Sequence, residues 1–181
     1  MKRVLVFWSW NYKMDEDTIL STLDGYKKAG IEGFFIHARA GLMTEYFGDE
    51  WFKLIRFTAK EASKRGLATY LYDENGWPSG FADGKVPALG KDYQQAYVEK
   101  KTLKGKEVKK LETAAIYYLD KLISLDKVKD SRTYTAFVIG RNPSYTDLLS
   151  KDAIKKFIEF SHEVYKEKLG DMFGKEILGI F

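Results

Sequence analysis

Residues 33–38, Gly-Phe-Phe-Ile-His-Ala, decide how this chain folds. A short, almost wholly apolar run of this kind is typical of a strand that is buried on both faces. Two similar runs flank it in the chain, Val4–Trp10 and Leu67–Tyr72. The sequence therefore predicts three buried strands in its first part.

Helical sequence separates these strands. One predicted helix ends near Ala29 and the next covers residues 50–64, each with apolar residues three and four positions apart. Each begins after an acidic residue and ends at a glycine, which are usual helix boundaries: Asp15 or Asp17 with Gly30, and Asp49 with Gly66. The β-α-β-α-β order predicts parallel strands joined by right-handed crossovers, in a (β/α)8 barrel or an open doubly wound sheet.

The pattern changes after the third strand. A long glycine- and proline-containing loop is followed by β-rich sequence, which predicts an inserted antiparallel ribbon or small sheet over about residues 100–140. The remaining elements that we expect are a helix or strand at 92–101, a turn at Arg141–Tyr145, a helix at 152–169 capped by Ser150, and a fourth parallel strand at 177–181. A chain that ends on a strand predicts a truncated domain with an exposed edge.

The composition excludes several classes of protein. The chain has 181 residues and no cysteine, so it has no disulfide and no thiolate metal site. Its 30 basic and 26 acidic residues are interspersed, which argues against nucleic acid as a partner. No apolar run is long enough for a signal peptide or a membrane span, which predicts a cytoplasmic protein without a membrane partner. Few Asn and Gln among many Lys and Glu favour a thermophilic source.

Candidate site residues follow from the rule that parallel α/β proteins bind ligands beyond the carboxyl ends of their strands. No Walker A loop, dinucleotide fingerprint or nucleophile elbow is present, so no nucleotide cofactor or serine nucleophile is expected. We expect no other cofactor. The predicted ligand-contacting residues lie after strands one, two and three or in a nearby loop: Trp8, Trp10, Asn11, His37, Arg39, Tyr46, Asn75 and Trp77.

Asp73 and Glu74 are the candidate catalytic carboxylates. Being adjacent at a strand end, they are expected to point in different directions, one towards a ligand and one away from it. The alternative is that they cap backbone amides of the loop. His37 is either a core histidine or a ligand contact, and with only His162 as a second histidine no metal site is predicted. His162 itself is expected to be a packing or surface residue.

Several stretches resemble a group of bacterial TIM-barrel glycoside hydrolases related to the α-L-rhamnosidases of glycoside hydrolase family 106. The most specific is Tyr-Asp-Glu-Asn-Gly-Trp-Pro-Ser-Gly at 72–80. The supporting stretches lie at residues 7–11, 33–46, 50–52, 144–149 and 160–163. The resemblance implies a partial (β/α)8 barrel of about four parallel strands, spanning residues 1–181 as the amino-terminal half of a catalytic domain. It also implies a carbohydrate ligand, and it adds Asp147 to the expected substrate-binding residues.

Relatives of this kind continue the strand at 177–181 into a Thr-Asp-Glu-Pro-like segment that supplies an essential carboxylate. Glycoside hydrolysis needs two carboxyl groups across the scissile bond, so we expect a truncated glycosidase that is inactive alone. The alternative is a non-catalytic half-barrel that binds carbohydrate or assembles with itself. A distinct small enzyme that uses Asp73, Glu74 and His37 directly is the third reading. The uncovered strand edges predict a homo-oligomer or a complementary carboxyl-terminal half-barrel as partner.

Overall fold

The computed structural model describes residues 4–181, which form two compact units. The first unit contains the described residues up to Lys85 together with Lys155–Phe181, and the second contains Val86–Ile154. In chain order the strands and helices are β1 (Leu5–Trp10), α1 (Glu16–Lys28), β2 (Gly33–Ala38), α2 (Asp49–Lys64), β3 (Ala68–Leu71), β4 (Gln94–Lys104), α3 (Gly105–Val108), β5 (Thr113–Tyr118), β6 (Lys121–Ile123), β7 (Thr133–Thr146), α4 (Lys151–Phe157), a π-helical turn (Ile158–His162), α5 (Glu163–Leu169) and β8 (Ile177–Ile180).

The first unit is built on a four-stranded parallel sheet in the order β1-β2-β3-β8. The three amino-terminal strands and the two helices between them are confirmed, as is the fourth strand at the carboxyl end. Asp15 caps α1, because its Oδ1 accepts the Thr18 N–H at 2.8 Å. The completion of this sheet as part of a barrel stays a prediction.

The two faces of this sheet have different surroundings. On one face Trp8, Phe34 and Leu71 are buried in a hydrophobic core with Leu23 of α1 and Ile55 of α2. The other face, called the aromatic face below, carries ring side chains that contact one another across the strands. Its residues are Phe7, Ser9, Phe35, His37, Tyr70, Tyr72, Gly179 and Phe181.

The second unit is an antiparallel sheet in the order β4-β7-β5-β6, with its own small core around Val108, Tyr134 and Ala136. The residues at 92–101, for which helix and strand were both open, are mostly in β4. The turn predicted at Arg141–Tyr145 is wrong, because this segment continues β7, where Arg141 pairs with Ala96. β4 pairs with Arg141, Asn142 and Thr146, and the register shifts between them, so residues 143–145 bulge from the ladder without ending the strand.

Two predicted helix details also need correction. Asp49 is the first residue of α2 rather than its cap, and Gly48 occupies the cap position without a side-chain hydrogen bond. The helix expected at 152–169 is interrupted by the π-helical turn, which inserts one residue and displaces the side chains that follow. No helix among residues 4–181 is long and apolar enough to cross a membrane.

A tight contact between β2 and β3 gives a stability prediction. A Cβ atom at Gly33 would lie 2.5 Å from the Ala68 carbonyl oxygen and 2.7 Å from the Ala68 Cβ. We expect Gly33→Ala to lower the free energy of unfolding by about 1–3 kcal/mol, because the strands must move apart. Urea denaturation followed by circular dichroism measures this.

Gly25→Ala is the matched control, because an added Cβ there meets nothing within 4 Å. Gly25 lies inside α1, so alanine should raise the free energy of unfolding by about 0.5–1 kcal/mol. Equal effects of the two substitutions would contradict the close strand contact.

Candidate functional site

The segment that follows β3 forms the candidate site, and backbone hydrogen bonds hold it to the neighbouring strands. The Asp73 N–H donates to the Phe181 carbonyl at 3.1 Å, and the Gly76 N–H donates to the Ala38 carbonyl at 3.1 Å. The loop therefore begins at the carboxyl edge of the sheet, where parallel α/β proteins bind their ligands.

Asp73 is buried at this edge and has partners from two elements. The Ser79 hydroxyl donates to Asp73 Oδ2 at 2.7 Å, and His162 Nε2 lies 3.5 Å from the same oxygen. The Ser161 hydroxyl donates to the Asp73 backbone carbonyl. Within the described residues, Asp73 Oδ1 has no hydrogen-bond partner. Asp73 thus has one carboxylate oxygen with hydrogen-bond partners and one that is buried without a partner among the described residues.

Glu74 is buried more deeply than Asp73, and it is hydrogen-bonded to the backbone of the loop. Its Oε2 accepts the Ala82 N–H at 2.5 Å. Burial raises the pKa of Glu74 to about 7, and the Asp73 charge adds to this, while the N–H groups of Ala82, Gly80 and Phe81 oppose it. Part of the Glu74 population is therefore protonated near neutral pH. The side-chain hydrogen bonds of Asp73 go to Ser79 and His162, whereas that of Glu74 goes to Ala82, so the two carboxyl groups have different partners.

His37 packs beneath this loop. Its ring lies 4.0 Å from that of Tyr72, centroid to centroid, and its Nε2 lies 3.1 Å from the Gly76 carbonyl oxygen. Because a carbonyl oxygen only accepts, Nε2 carries the hydrogen of this bond. Burial lowers the pKa of His37, and the Arg39 charge acts in the same direction. His37 is therefore neutral at neutral pH and fixes the start of the loop.

The three tryptophans that were predicted to contact a ligand have different surroundings in the structure. Trp8 and Trp10 are buried on the helix-facing side of the sheet, where Trp10 contacts Trp51 of α2 with ring centroids 5.2 Å apart. Their predicted contact with a ligand is corrected, because alternation along β1 turns both indoles into the core. Trp77 is 61% exposed beside Tyr72 and remains available for stacking.

The other predicted ligand contacts fall in different places. Asn11 and Arg39 are exposed, whereas Tyr46 is half-buried and its hydroxyl lies 3.3 Å from that of Tyr165. Burial raises the pKa of Tyr46 well above its ordinary value. Asp147 lies in the second unit, where its Oδ1 accepts the Leu149 N–H at 3.0 Å.

An open cleft of about 610 Å³ lies beside the loop in the first unit. Its charged and amide side chains come from the loops after β2 and β3, and the Asn75 amide donates to Asp83 at 3.2 Å. The polar lining residues are Arg39, Thr44, Glu45, Tyr46, Asn75, Asp83 and Lys85. In the part of the chain that the structure describes, no three His, Asp or Glu side chains are grouped to hold a metal ion.

Sequence reasoning missed the contribution of the π-helical turn. His162 was expected to be a packing or surface residue, yet it lies at Asp73 together with Ser161. Turns of this type are frequent at functional sites because they displace side chains from the regular helical stripe. The available signal was the resemblance at residues 160–163, since the helical periodicity over 152–169 gives no sign of the π-helical turn.

Comparison with known proteins yields one distant likeness to report. No protein-family model and no curated protein matches the chain. A solved structure of a rhamnosidase from Novosphingobium sp. PP1Y matches it with 22% sequence identity and a TM-score of 0.38, covering 67% of this chain and 11% of that one. The chain thus spans a small part of that protein. So distant a likeness carries no argument about function, and the relationship to α-L-rhamnosidases stays a prediction.

The burial of Glu74 predicts a pH-dependent stability. Because the pKa of Glu74 is raised from 4.5 to about 7 by folding, its contribution is fully present below pH 4.5 and is lost as the pH rises through 7. The free energy of unfolding of the wild type, minus that of Glu74→Gln, should fall by roughly 2–3 kcal/mol between pH 4.5 and about pH 8. Urea denaturation across this range measures it.

Glu167→Gln, on the exposed surface of α5, is the control. Its difference from the wild type should change little with pH. A flat difference for Glu74→Gln, or an equal slope for both variants, would show that Glu74 is not the buried titrating group.

Proposed function

We propose that the chain is a carbohydrate-binding module of glycoside hydrolase-like, partial-barrel architecture, and that it binds sugar at the loop following β3. The observation that carries the proposal is the pairing of a buried carboxylate with an exposed aromatic ring. Asp73 keeps Oδ1 without a partner among the described residues, and Trp77, four residues on, is 61% exposed.

This pairing matches the chemistry of a sugar. Hydroxyl groups donate to a carboxylate oxygen, and the apolar face of a pyranose ring packs on an indole. The neighbouring cleft offers Arg39 and Asn75 as further polar contacts. The resemblance of residues 72–80 to rhamnosidase-related sequences supports the same class of ligand.

Hydrolysis is the second candidate, favoured by one observation. A carboxyl group with a pKa of about 7, as Glu74 has, is suited to act as a general acid at neutral pH. Against this role, Glu74 is almost wholly buried and its Oε2 accepts a backbone N–H of the loop. We therefore assign Glu74 to positioning the loop and Asp73 to contact with the ligand.

Stacking on Trp77 gives the first test of this proposal. Isothermal titration calorimetry with methyl α-L-rhamnopyranoside, and with methyl α-D-glucopyranoside as a second probe, measures binding by the full chain. We expect Trp77→Ala to weaken binding about tenfold through loss of the ring face, and Trp77→Phe to keep most of the affinity. Absence of binding to both glycosides, or equal affinity in Trp77→Ala, would contradict the proposal.

The charge of Asp73 gives the second test. Asp73→Asn keeps the shape of the side chain but removes the charge-assisted hydrogen bond, so binding should weaken by roughly 10- to 100-fold. Glu167→Gln, an exposed carboxyl away from the loop, should bind like the wild type. Turnover of an aryl α-L-rhamnoside that disappears in Glu74→Gln would instead favour the hydrolytic role.

A further inference from the structure

The second unit has an open cavity of its own, of about 470 Å³. Its walls are formed by the antiparallel sheet and by the turn between β5 and β6. The side chains come from β4 (Lys100 and Thr102), from β5 (Tyr117), from β7 (Thr135 and Phe137) and from the turn (Asp120). A ligand bound here contacts this unit alone.

The cavity lies on the face of the sheet that points away from the small core. Ile116 of β5 and Ala136 of β7 are buried in that core. Because side chains alternate along a strand, Tyr117, Thr135 and Phe137 lie on the opposite face. An antiparallel sheet normally turns polar side chains to water on its open face, so the two aromatic rings depart from that pattern.

Strand pairing arranges these side chains in two adjacent rows. Thr135 pairs with Thr102 on one side and with Tyr117 on the other, so three hydroxyl groups share one row. In the next row Phe137 pairs with Lys100. Directly opposed side chains on one face have Cβ atoms about 4.5–5.5 Å apart. A monosaccharide can therefore reach more than one hydroxyl group of the row.

Two aromatic rings form a corner in the cavity. The ring centroids of Tyr117 and Phe137 lie 5.9 Å apart, and the ring planes meet at 70°. Both side chains are half-buried, so each ring keeps an exposed part. Such a corner suits the apolar face of a pyranose ring, and a tyrosine hydroxyl adds a hydrogen bond.

The charged side chains of the lining have no partners of their own. Lys100 and Asp120 are exposed, and within residues 4–181 neither forms an ion pair. Residues 86–154 contain 13 basic and 9 acidic side chains, so the whole formal net charge of +4 belongs to the second unit. An ammonium group in this setting binds a carboxylate through a charge-assisted hydrogen bond.

The turn at the rim of the cavity has a strained backbone. Leu119 and Asp120 have φ angles of 47° and 64°, and Tyr118 pairs with Lys121 around them, as in a type I′ hairpin turn. Asn and Gly usually occupy such positions, whereas leucine adopts this conformation only under strain. Leu119 is also 78% exposed, so packing within the described chain does not explain it. Strain of this kind is frequent where a protein binds a ligand.

We propose that this cavity binds an acidic saccharide, a pyranose that carries a carboxylate group. Lys100 binds the carboxylate, and the corner formed by Tyr117 and Phe137 receives the ring. The threonine hydroxyl groups and Asp120 hydrogen-bond to the hydroxyl groups of the sugar. A simple inorganic anion would leave the aromatic corner without a contact, and a neutral sugar would leave the Lys100 charge without one. This site is separate from the loop after β3 and does not depend on sugar binding there.

An NMR titration that follows the ¹H–¹⁵N amide signals of the full chain reads the two sites separately. The probes are the sodium salt of methyl α-D-glucopyranosiduronic acid, called the uronate below, and methyl α-D-glucopyranoside, which lacks only its carboxylate. We expect the uronate to shift the amides of residues 100–102, 117–120 and 133–137, with a dissociation constant in the millimolar range. The neutral glucoside should bind there about tenfold more weakly. Binding at the loop after β3 shifts residues 72–85 instead, so a failure at one site leaves the other readable.

Two matched substitutions test the role of the Lys100 charge. Lys100→Met removes the charge but keeps most of the apolar stem, so the affinity for the uronate should fall about tenfold and that for the glucoside should not change. Lys110→Met removes the same charge from an exposed lysine outside the cavity, and it should bind both sugars like the wild type. Tyr117→Ala should weaken both sugars about tenfold through loss of a ring. Circular dichroism verifies that each variant is folded.

Three results would overturn the proposal. Absence of uronate-dependent shifts at the cavity residues excludes the site. Equal affinity for the uronate and the glucoside, or equal uronate affinity in Lys100→Met and Lys110→Met, excludes recognition of the carboxylate by Lys100. Uronate shifts confined to residues 72–85 assign the acidic sugar to the loop after β3.

Discussion

The pairing of β3 with β8 is the interaction on which the rest of the first unit depends. These strands are about a hundred residues apart in the chain, with the whole second unit between them. Their hydrogen bonds, which extend to Asp73 and Phe181, bring the helix before β8 back to the sheet. Ser161 and His162 reach Asp73 only because this long-range pairing exists.

Burial at the end of β3 gives the two adjacent carboxyl groups different properties. Asp73 lies between serine and histidine side chains and retains an oxygen without a partner in the described chain. Glu74 faces backbone N–H groups of its own loop, and its burial shifts its pKa towards neutrality. Although adjacent in sequence, Asp73 and Glu74 therefore have different hydrogen-bond partners and different degrees of burial.

The two faces of the parallel sheet also differ, because successive side chains along a strand point to opposite faces of the sheet. The helix-facing side belongs to a hydrophobic core in which Trp8 and Trp10 are buried. The aromatic face is partly exposed, and its rings converge from the outermost strands. The sheet therefore has one face that the helices cover and one that the described residues leave partly exposed.

The sequence by itself determined the β-α-β-α-β order, the first three strands and the loop after β3, because apolar periodicity and glycine stops are local signals. It also placed Asp73, Glu74 and Trp77 after the third strand, because the carboxyl end of a parallel strand is a defined position, and their role in a site stays a prediction. Only the tertiary structure decided that Trp8 and Trp10 belong to the core, that Arg141–Tyr145 is extended, and that His162 lies at Asp73. The burial of the tryptophans depends on which face of a strand is covered, and the extended segment belongs to a strand whose partner lies far along the chain. The position of His162 depends on the π-helical turn. Local sequence encodes none of these three.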